Sequence, residues 1–471
     1  MKSNLTKVFK TGIGLLIFII LFLPVGFVTA QDQQPPGPIY IVQEGDTLWN
    51  IAQRFGVPVN ELVSFNQIAD PSNISPGDEL VIPGLEGVQG VLETKTVPYG
   101  EDLLSLSRRY QIPMGTLSRL NHLTSPNELY SGSDLILPES NTIALIANRV
   151  SLKPGETMLE LAASQGVNPW SLVTLNGLKG TWDGIPGDVL RSPFEGSEDG
   201  PGAFPGEITG LEVTPLPIKQ GGTFEVKLTA DDDLSITGAF LGHDLNFFKD
   251  KDGTLIALQG VHALTEPGYY PLELSGSLED GTPLAFSQPV YVADGGYHYE
   301  TLTVDPKTLD PATTKPEDDL WDSLASAATP QRYWQGGFQS PIPPVFANCF
   351  PSFFGNRRSY NGGPYTYYHT GLDFCGGVGT DIYAVASGVV VFAGPLTVRG
   401  NATMVDNGWG IYTGYMHQSE ILVQEGDKVE AGQLIGRIGN TGRVTGPHLH
   451  LEVFVGGVQV DPMEWLEKIF P

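Results

Sequence analysis

Three stretches of this chain repeat in a single gapless register of fifty-five residues. Gly45-Asp-Thr-Leu48 returns as Gly100-Glu-Asp-Leu103 and again as Gly155-Glu-Thr-Met158. Asn66 returns as Asn121 and Asn176, and Pro83 as Pro138 and Pro193. One offset shared by so many positions marks a tandem array, in which each unit is a small supersecondary structure. In the first unit a strand at Tyr40-Ile-Val leads to a helix from Leu48 to Phe55 and a second from Val59 to Asn66. A closing strand follows at Glu79-Leu-Val-Ile-Pro83. The unit reads βααβ.

A chain of 471 residues exceeds one ordinary core and divides into several structural units. Its 58 Gly and 37 Pro favour turn-rich β modules and linkers over helical bundles. The fold class expected is therefore multidomain and mainly β. Repeats occupy 39–84, 94–139 and 148–194, and residues 194–206 form a Gly/Pro-rich linker. A sandwich spans 207–305, a linker with a short helix 306–335, and a β-rich domain 336–471. The formal net charge of -27 excludes nucleic acid and anionic membrane surface as main partners, because both require clustered Lys and Arg.

Lys2, Lys7 and Lys10 precede an apolar run from Ile13 to Val28 and the small-residue site Val28-Thr29-Ala30, the layout of a secretory signal over residues 1–30. An uncleaved anchor helix is the rival reading; Pro24 and the short apolar core favour cleavage. No later segment is apolar enough to span a bilayer, so no membrane contact is expected after cleavage, and the mature protein is expected in the envelope or outside the cell. Nothing in the sequence sets an oligomeric state. Export permits a disulfide between the two cysteines, Cys349 and Cys375. That pairing ranks ahead of two buried thiols or a thiolate metal ligand, and the closed loop would contribute roughly 3 kcal/mol.

The repeats resemble lysin-motif (LysM) modules. The resemblance implies a shallow groove, built from the loop after the first strand and the loop before the second, that binds N-acetylglucosamine-containing glycans such as peptidoglycan and chitin. The matching loop residues are Gly45, Asp46 and Thr47 with Ile74, Pro76 and Gly77 in the first unit. In the third they are Gly155, Glu156 and Thr157 with Ile185, Pro186 and Gly187. The second unit differs, with Asp102 in place of Thr and Ser131 in place of Pro. Gly, Pro and Asp also serve simply as turn formers. Tethered units would gain avidity if two engage one surface.

From 207 to 305 short alternating strands such as Phe224-Glu-Val-Lys-Leu228 and Tyr269-Tyr-Pro-Leu-Glu-Leu274 are separated by Gly-rich turns, a spacing that favours an immunoglobulin-like sandwich. His243, His262 and His298 lie there without ligand spacing. Thr314-Lys-Pro-Glu317 reads as a capping box opening a helix from about 316 to 328.

The last domain carries the chemistry. His369-Thr-Gly-Leu-Asp373 and His448-Leu-His450 supply groups suited to one zinc ion, which in catalytic sites takes three protein ligands and keeps a fourth position for water. The i, i+2 spacing of His448 and His450 puts both rings on one face of a strand. These motifs, with Tyr415-Met-His417 and Gly439-Asn-Thr-Gly-Arg-Val-Thr-Gly-Pro447, resemble the lysostaphin-like (LytM-type) zinc metallopeptidases. That resemblance implies a folded antiparallel sheet with one zinc (Zn2+) per chain held by His369, Asp373 and His450. His448 is assigned as general base and His417 as its partner, two roles that the sequence leaves interchangeable. The function implied is an exported zinc endopeptidase that hydrolyses peptidoglycan stems or cross-bridges. Its partner is peptidoglycan, glycan at the repeats and peptide at the zinc. The rival is a non-catalytic envelope scaffold or the activator of a separate amidase.

Overall fold

The structure is a computed structural model that describes all residues except 1–36, 86, 87, 89, 126, 127, 139–146, 196–199, 232 and 233. The signal-like segment lies outside the described residues. Among the described residues no helix is long and apolar enough to cross a membrane.

Each repeat folds as strand, helix, helix, strand, and the recurring residues show why. In the first unit, Ile39–Ile41 and Glu79–Val81 flank helices Leu48–Arg54 and Val59–Phe65. Thr47 caps the first helix by accepting from the Asn50 N–H, while the Asn50 side chain accepts from the Thr47 N–H. Asp102 with Ser105 and Thr157 with Glu160 repeat this reciprocal cap, so the residue after the Gly-acid pair is a helix N-cap in all three units. The recurring asparagine has a different task. The Asn66 amide donates to the Leu62 and Val81 carbonyls and accepts from the Val81 N–H, tying the second helix to the closing strand. Asn121 and Asn176 do the same at Ile136 and Arg191.

The first two units are fused. Strand Val91–Thr96 pairs in parallel with Ile39–Ile41, so one four-stranded sheet runs through both units. The third has its own two-stranded sheet, Ala147–Ser151 with Val189–Glu195.

Residues 208–293 form a mainly antiparallel sandwich of a five-stranded and a four-stranded sheet around Phe224, Val226, Leu272 and Val290. Two differences from the sequence reading stand out. Strand Tyr299–Leu302, within the 207–305 span assigned to the sandwich, lies outside it and pairs in parallel with Arg357–Tyr360 of the C-terminal domain. Residues 200–206, read as linker, are packed down, mostly buried: Phe204 joins the sandwich core, and the Arg149 guanidinium donates to the carbonyls of Pro201, Phe204 and Ile208. Their Gly and Pro serve tight turns under packing, not mobility.

The C-terminal domain is built on a nine-stranded antiparallel sheet whose main path runs Leu372–Cys375, His448–Val455, Ile411–Ile421, Asn401–Gly408, Gly388–Pro395, Lys428–Val429. Its core around Trp334, Trp465 and Leu449 continues into the sandwich through Ile256 and Leu258. The Trp465 indole also donates to Thr223 Oγ1 at 3.0 Å across that boundary.

The expected helix begins earlier than Thr314. It spans Pro311–Leu324 with Asp310 as cap, and Pro316 lies inside it. Asp310 followed by Pro311 supplies a cap-then-proline signal whose cap lies four residues upstream of Thr314, and that earlier start prevails. Glu317 on this helix accepts from the backbone N–H groups of Thr397, Val398 and Arg399 at 2.7, 2.9 and 2.8 Å and pairs with the Arg399 guanidinium. Glu317→Ala would strand buried donors and a charge at once. We expect it to lower unfolding free energy by about 3–5 kcal/mol, measured by denaturant titration.

Candidate metal centre

Strand pairing assembles the cluster. Leu372–Cys375 lies against His448–Val455 with Asp373 directly opposite His450 and Cys375 opposite His448. Cys375 is joined to Cys349 by a disulfide, so the edge strand beside His448 is held covalently. His369 reaches the same point from the turn before that strand. The His369 Nε2, Asp373 Oδ1 and His450 Nδ1 atoms form a triangle with edges of 3.0, 2.9 and 2.8 Å.

The outer atom of each ring settles what faces inward. His369 Nδ1 lies 2.9 Å from the Phe353 carbonyl, which can only accept, so Nδ1 carries the proton and Nε2 turns a lone pair to the centre. His450 Nε2 lies 3.3 Å from Glu452 Oε1 and donates to that carboxylate, which leaves Nδ1 as a lone pair. Two imidazole lone pairs and a carboxylate oxygen thus converge at distances where they repel unless a cation lies between them. Partners behind each ring, a carbonyl for one and a carboxylate for the other, are the arrangement that orients histidine ligands. The donor set fits a divalent metal ion.

Protonation tells the same story. Burial raises the Asp373 and Glu452 carboxyls, but the adjacent rings outweigh it. Asp373 is held well below the usual range and Glu452 is pulled down to about 2. Burial disfavours charge on His450, yet hydrogen bonds to Asp373 and Glu452 outweigh it and push the ring up to about 8. Burial alone dominates at His369 and pushes it down.

His417 and His448 face the same cavity, their ring centroids 4.9 Å apart. His417 Nδ1 lies 2.9 Å from the Thr441 carbonyl and His448 Nδ1 lies 2.8 Å from that of Gly446, so each Nδ1 carries a proton and each Nε2 is an acceptor. Burial first, then the neighbouring His450 and His448, pushes His417 down to about 3, so it stays neutral in any ordinary buffer. Its backbone is unusual. His417 has φ +63° at an irregularity in the pairing of Asn401–Gly408 with Ile411–Ile421. A bulge of this kind re-aims a side chain.

Several supporting residues escape sequence reading. Glu452 carried a signal, since it continues the period-two face of His448 and His450. Its carboxylate accepts from the buried Trp321 indole at 2.8 Å and from Thr370 Oγ1. Glu300 carried none, and Glu317 was read only as part of a capping box. Glu300 arrives on strand Tyr299–Leu302, accepts from Ser352 Oγ at 3.0 Å and pairs with Arg358, whose guanidinium stands 3.9 Å from Asp373 Oδ2.

The repeat loops divide into two kinds. Gly45, Thr47, Pro76, Gly77, Gly155, Thr157, Ile185, Pro186 and Gly187 are exposed, and Asp46, Ile74 and Glu156 are half-buried. Asp46 accepts from Tyr40 Oη at 2.6 Å and from the Gln43 N–H, and Glu156 accepts from the Lys153 N–H, so these acids brace their own loops. In the second unit the equivalent loops are partly covered, by the sandwich and by the segment 200–206, although Asp102 and Gly132 stay exposed. The Gly100 N–H donates to Gln288 Oε1 at 2.9 Å, the Ser131 N–H donates to the Pro289 carbonyl at 2.9 Å, and Glu101 is 1% exposed.

Residues 367–462 match the model of Peptidase family M23, and residues 40–83, 96–138 and 150–193 each match that of the LysM domain. The peptidoglycan DD-endopeptidase ShyA of Vibrio cholerae is 47% identical over 96 residues, covering 20% of this chain and 22% of that protein. The DD-carboxypeptidase/endopeptidase Mpg of Neisseria meningitidis is 39% identical over 132 residues, covering 27% of this chain and 29% of that protein. The catalytic domain of lysostaphin from Staphylococcus simulans is 33% identical, covering 29% of this chain and 93% of that one, with a TM-score of 0.21. The chain therefore spans less than a third of the length of these two curated relatives. Residues 367–462 are thus a domain of peptidase family M23, set behind three LysM domains.

Proposed function

We propose that this protein is a zinc-dependent endopeptidase of the cell envelope or its exterior that hydrolyses peptide bonds in peptidoglycan and is brought to its polymer by the first and third LysM domains. One observation carries the reading: three inward lone pairs lie beside two further imidazoles that present acceptor Nε2 atoms to one cavity. His369 Nε2, Asp373 Oδ1 and His450 Nδ1 would hold the metal. Zinc held there would supply Lewis acidity, polarising a scissile carbonyl and lowering the pKa of water toward about 7. His448 Nε2 takes the proton from the attacking water and returns it to the leaving amine. His417 Nε2 orients that water, and its enforced neutrality keeps it an acceptor. Relatives named as peptidoglycan endopeptidases support the substrate class. LysM domains support the glycan contact.

The test uses the mature chain and purified sacculi. New amino termini should appear with zinc, stop with a chelator and return when zinc is restored. Release of no amino termini under any of these conditions overturns the reading and leaves a wall-binding scaffold.

A further inference from the structure

We infer that Arg443 is a specificity-determining anchor that binds a carboxylate of the peptide substrate, an inference that rests on the peptidase reading and names what its groove selects. The cavity beside the metal ligands has a volume of about 350 Å³ and is lined by three arginines: Arg358, Arg399 and Arg443. Two are neutralised by the protein itself. Arg358 pairs with Glu300, and Arg399 with Glu317 and Asp318. Arg443 has no carboxylate within ion-pairing distance among the described residues. Its protein contacts are one hydrogen bond from Nη1 to the Thr308 carbonyl at 3.1 Å and a stack over the Tyr360 ring at 5.0 Å. In a chain with 53 acidic and 26 basic residues, a cavity arginine left without an acid is a vacancy with a sign. The residue is half-buried in the cavity lining, which leaves the rest of its guanidinium available to a ligand.

The guanidinium is also held in place. The backbone carrying it is pinned as well: the Arg443 main-chain N–H donates to the Val398 carbonyl at 2.8 Å, and Gly442 packs so closely on Gly400 that a Cβ would come within 2.4 Å of the Gly400 nitrogen. Thr441, two residues away, anchors His417, and His448 ends the same loop. The anchor and the proton-transfer rings are therefore carried by one constrained segment, which sets a carboxylate at a fixed distance from the bond to be cut. A planar fork of donors suits a carboxylate bidentately, and little ordering is needed on binding. Wall peptides offer that group from two sources, a chain-terminal α-carboxylate and a side-chain carboxylate.

The experiment compares three synthetic cross-linked stem peptides: one with all carboxylates free, one amidated at the chain terminus, one amidated at the side chain. With the wild-type chain we expect kcat/KM to fall about tenfold to a hundredfold for one of the two amides, which identifies the source. Arg443→Gln should bring the acid-to-amide ratio close to one, and Arg443→Lys should leave it intermediate, with zinc content unchanged in both. An arginine that merely clamps Thr308 would lower all three rates together and keep the ratio, which overturns the inference. Equal wild-type rates on all three peptides overturn it as well while leaving the peptidase reading intact. Failure of the wild-type chain to cleave any of them overturns both.

Discussion

His450→Ala should strip the metal from the purified protein and reduce peptide hydrolysis by on the order of a thousandfold or more. The figure follows from the several kcal/mol of charge stabilisation that a metal Lewis acid supplies. The substitution removes one corner of the triangle and strands Glu452, which loses its ring partner while still buried. Because Glu452 would then keep only Trp321 and Thr370 as partners, at a cost to folding, Asp373→Asn is the companion test. It keeps the side-chain shape and removes the charge that draws a cation in. Metal content by elemental analysis and folding by circular dichroism are read alongside rate. Full activity with undiminished metal in either folded variant would contradict the assignment of these ligands.

His448→Ala is expected to behave differently, losing roughly a hundredfold to ten-thousandfold in kcat while keeping its metal. The ring stands 3.6 Å from Asp373 Oδ1 through Nε2, next to the cluster without belonging to the triangle. His417→Ala should show the same separation of rate from metal content. Parallel loss of rate and metal in both variants would make these rings ligands. Survival of the rate in one would assign proton transfer to the other, a distinction on which the two rings' equivalent Nδ1 anchors give no preference.

How much of this was legible beforehand follows the physics of each signal. The triangle was readable because its members lie in short local motifs, and the period-two rule then placed His448 and His450 on one face. The repeats were readable for a related reason: Asn66, Asn121 and Asn176 each perform one task at one offset. Interfaces between distant segments left no comparable trace. Nothing near Glu317 announces three N–H groups eighty residues away, and nothing near Glu300 announces Ser352. The Gly/Pro-rich stretch misled because turn chemistry is the same in a buried strap as in a free linker; only the docking of Phe204 separates them. The helix start failed through competition between two adequate caps.

The pairing of Ile39–Ile41 with Val91–Thr96 has a further consequence. The second unit sits on the sandwich through backbone hydrogen bonds, and the sandwich shares its core with the catalytic sheet. A joint made of strand pairing or common core cannot swivel as a flexible tether does. If the first unit holds the wall and the metal centre cuts it, as proposed above, the span between them would be fixed by these joints and would work as a gauge. A mesh whose strands are spaced to match that gauge would be cut where it is held; one spaced differently would be held and left whole.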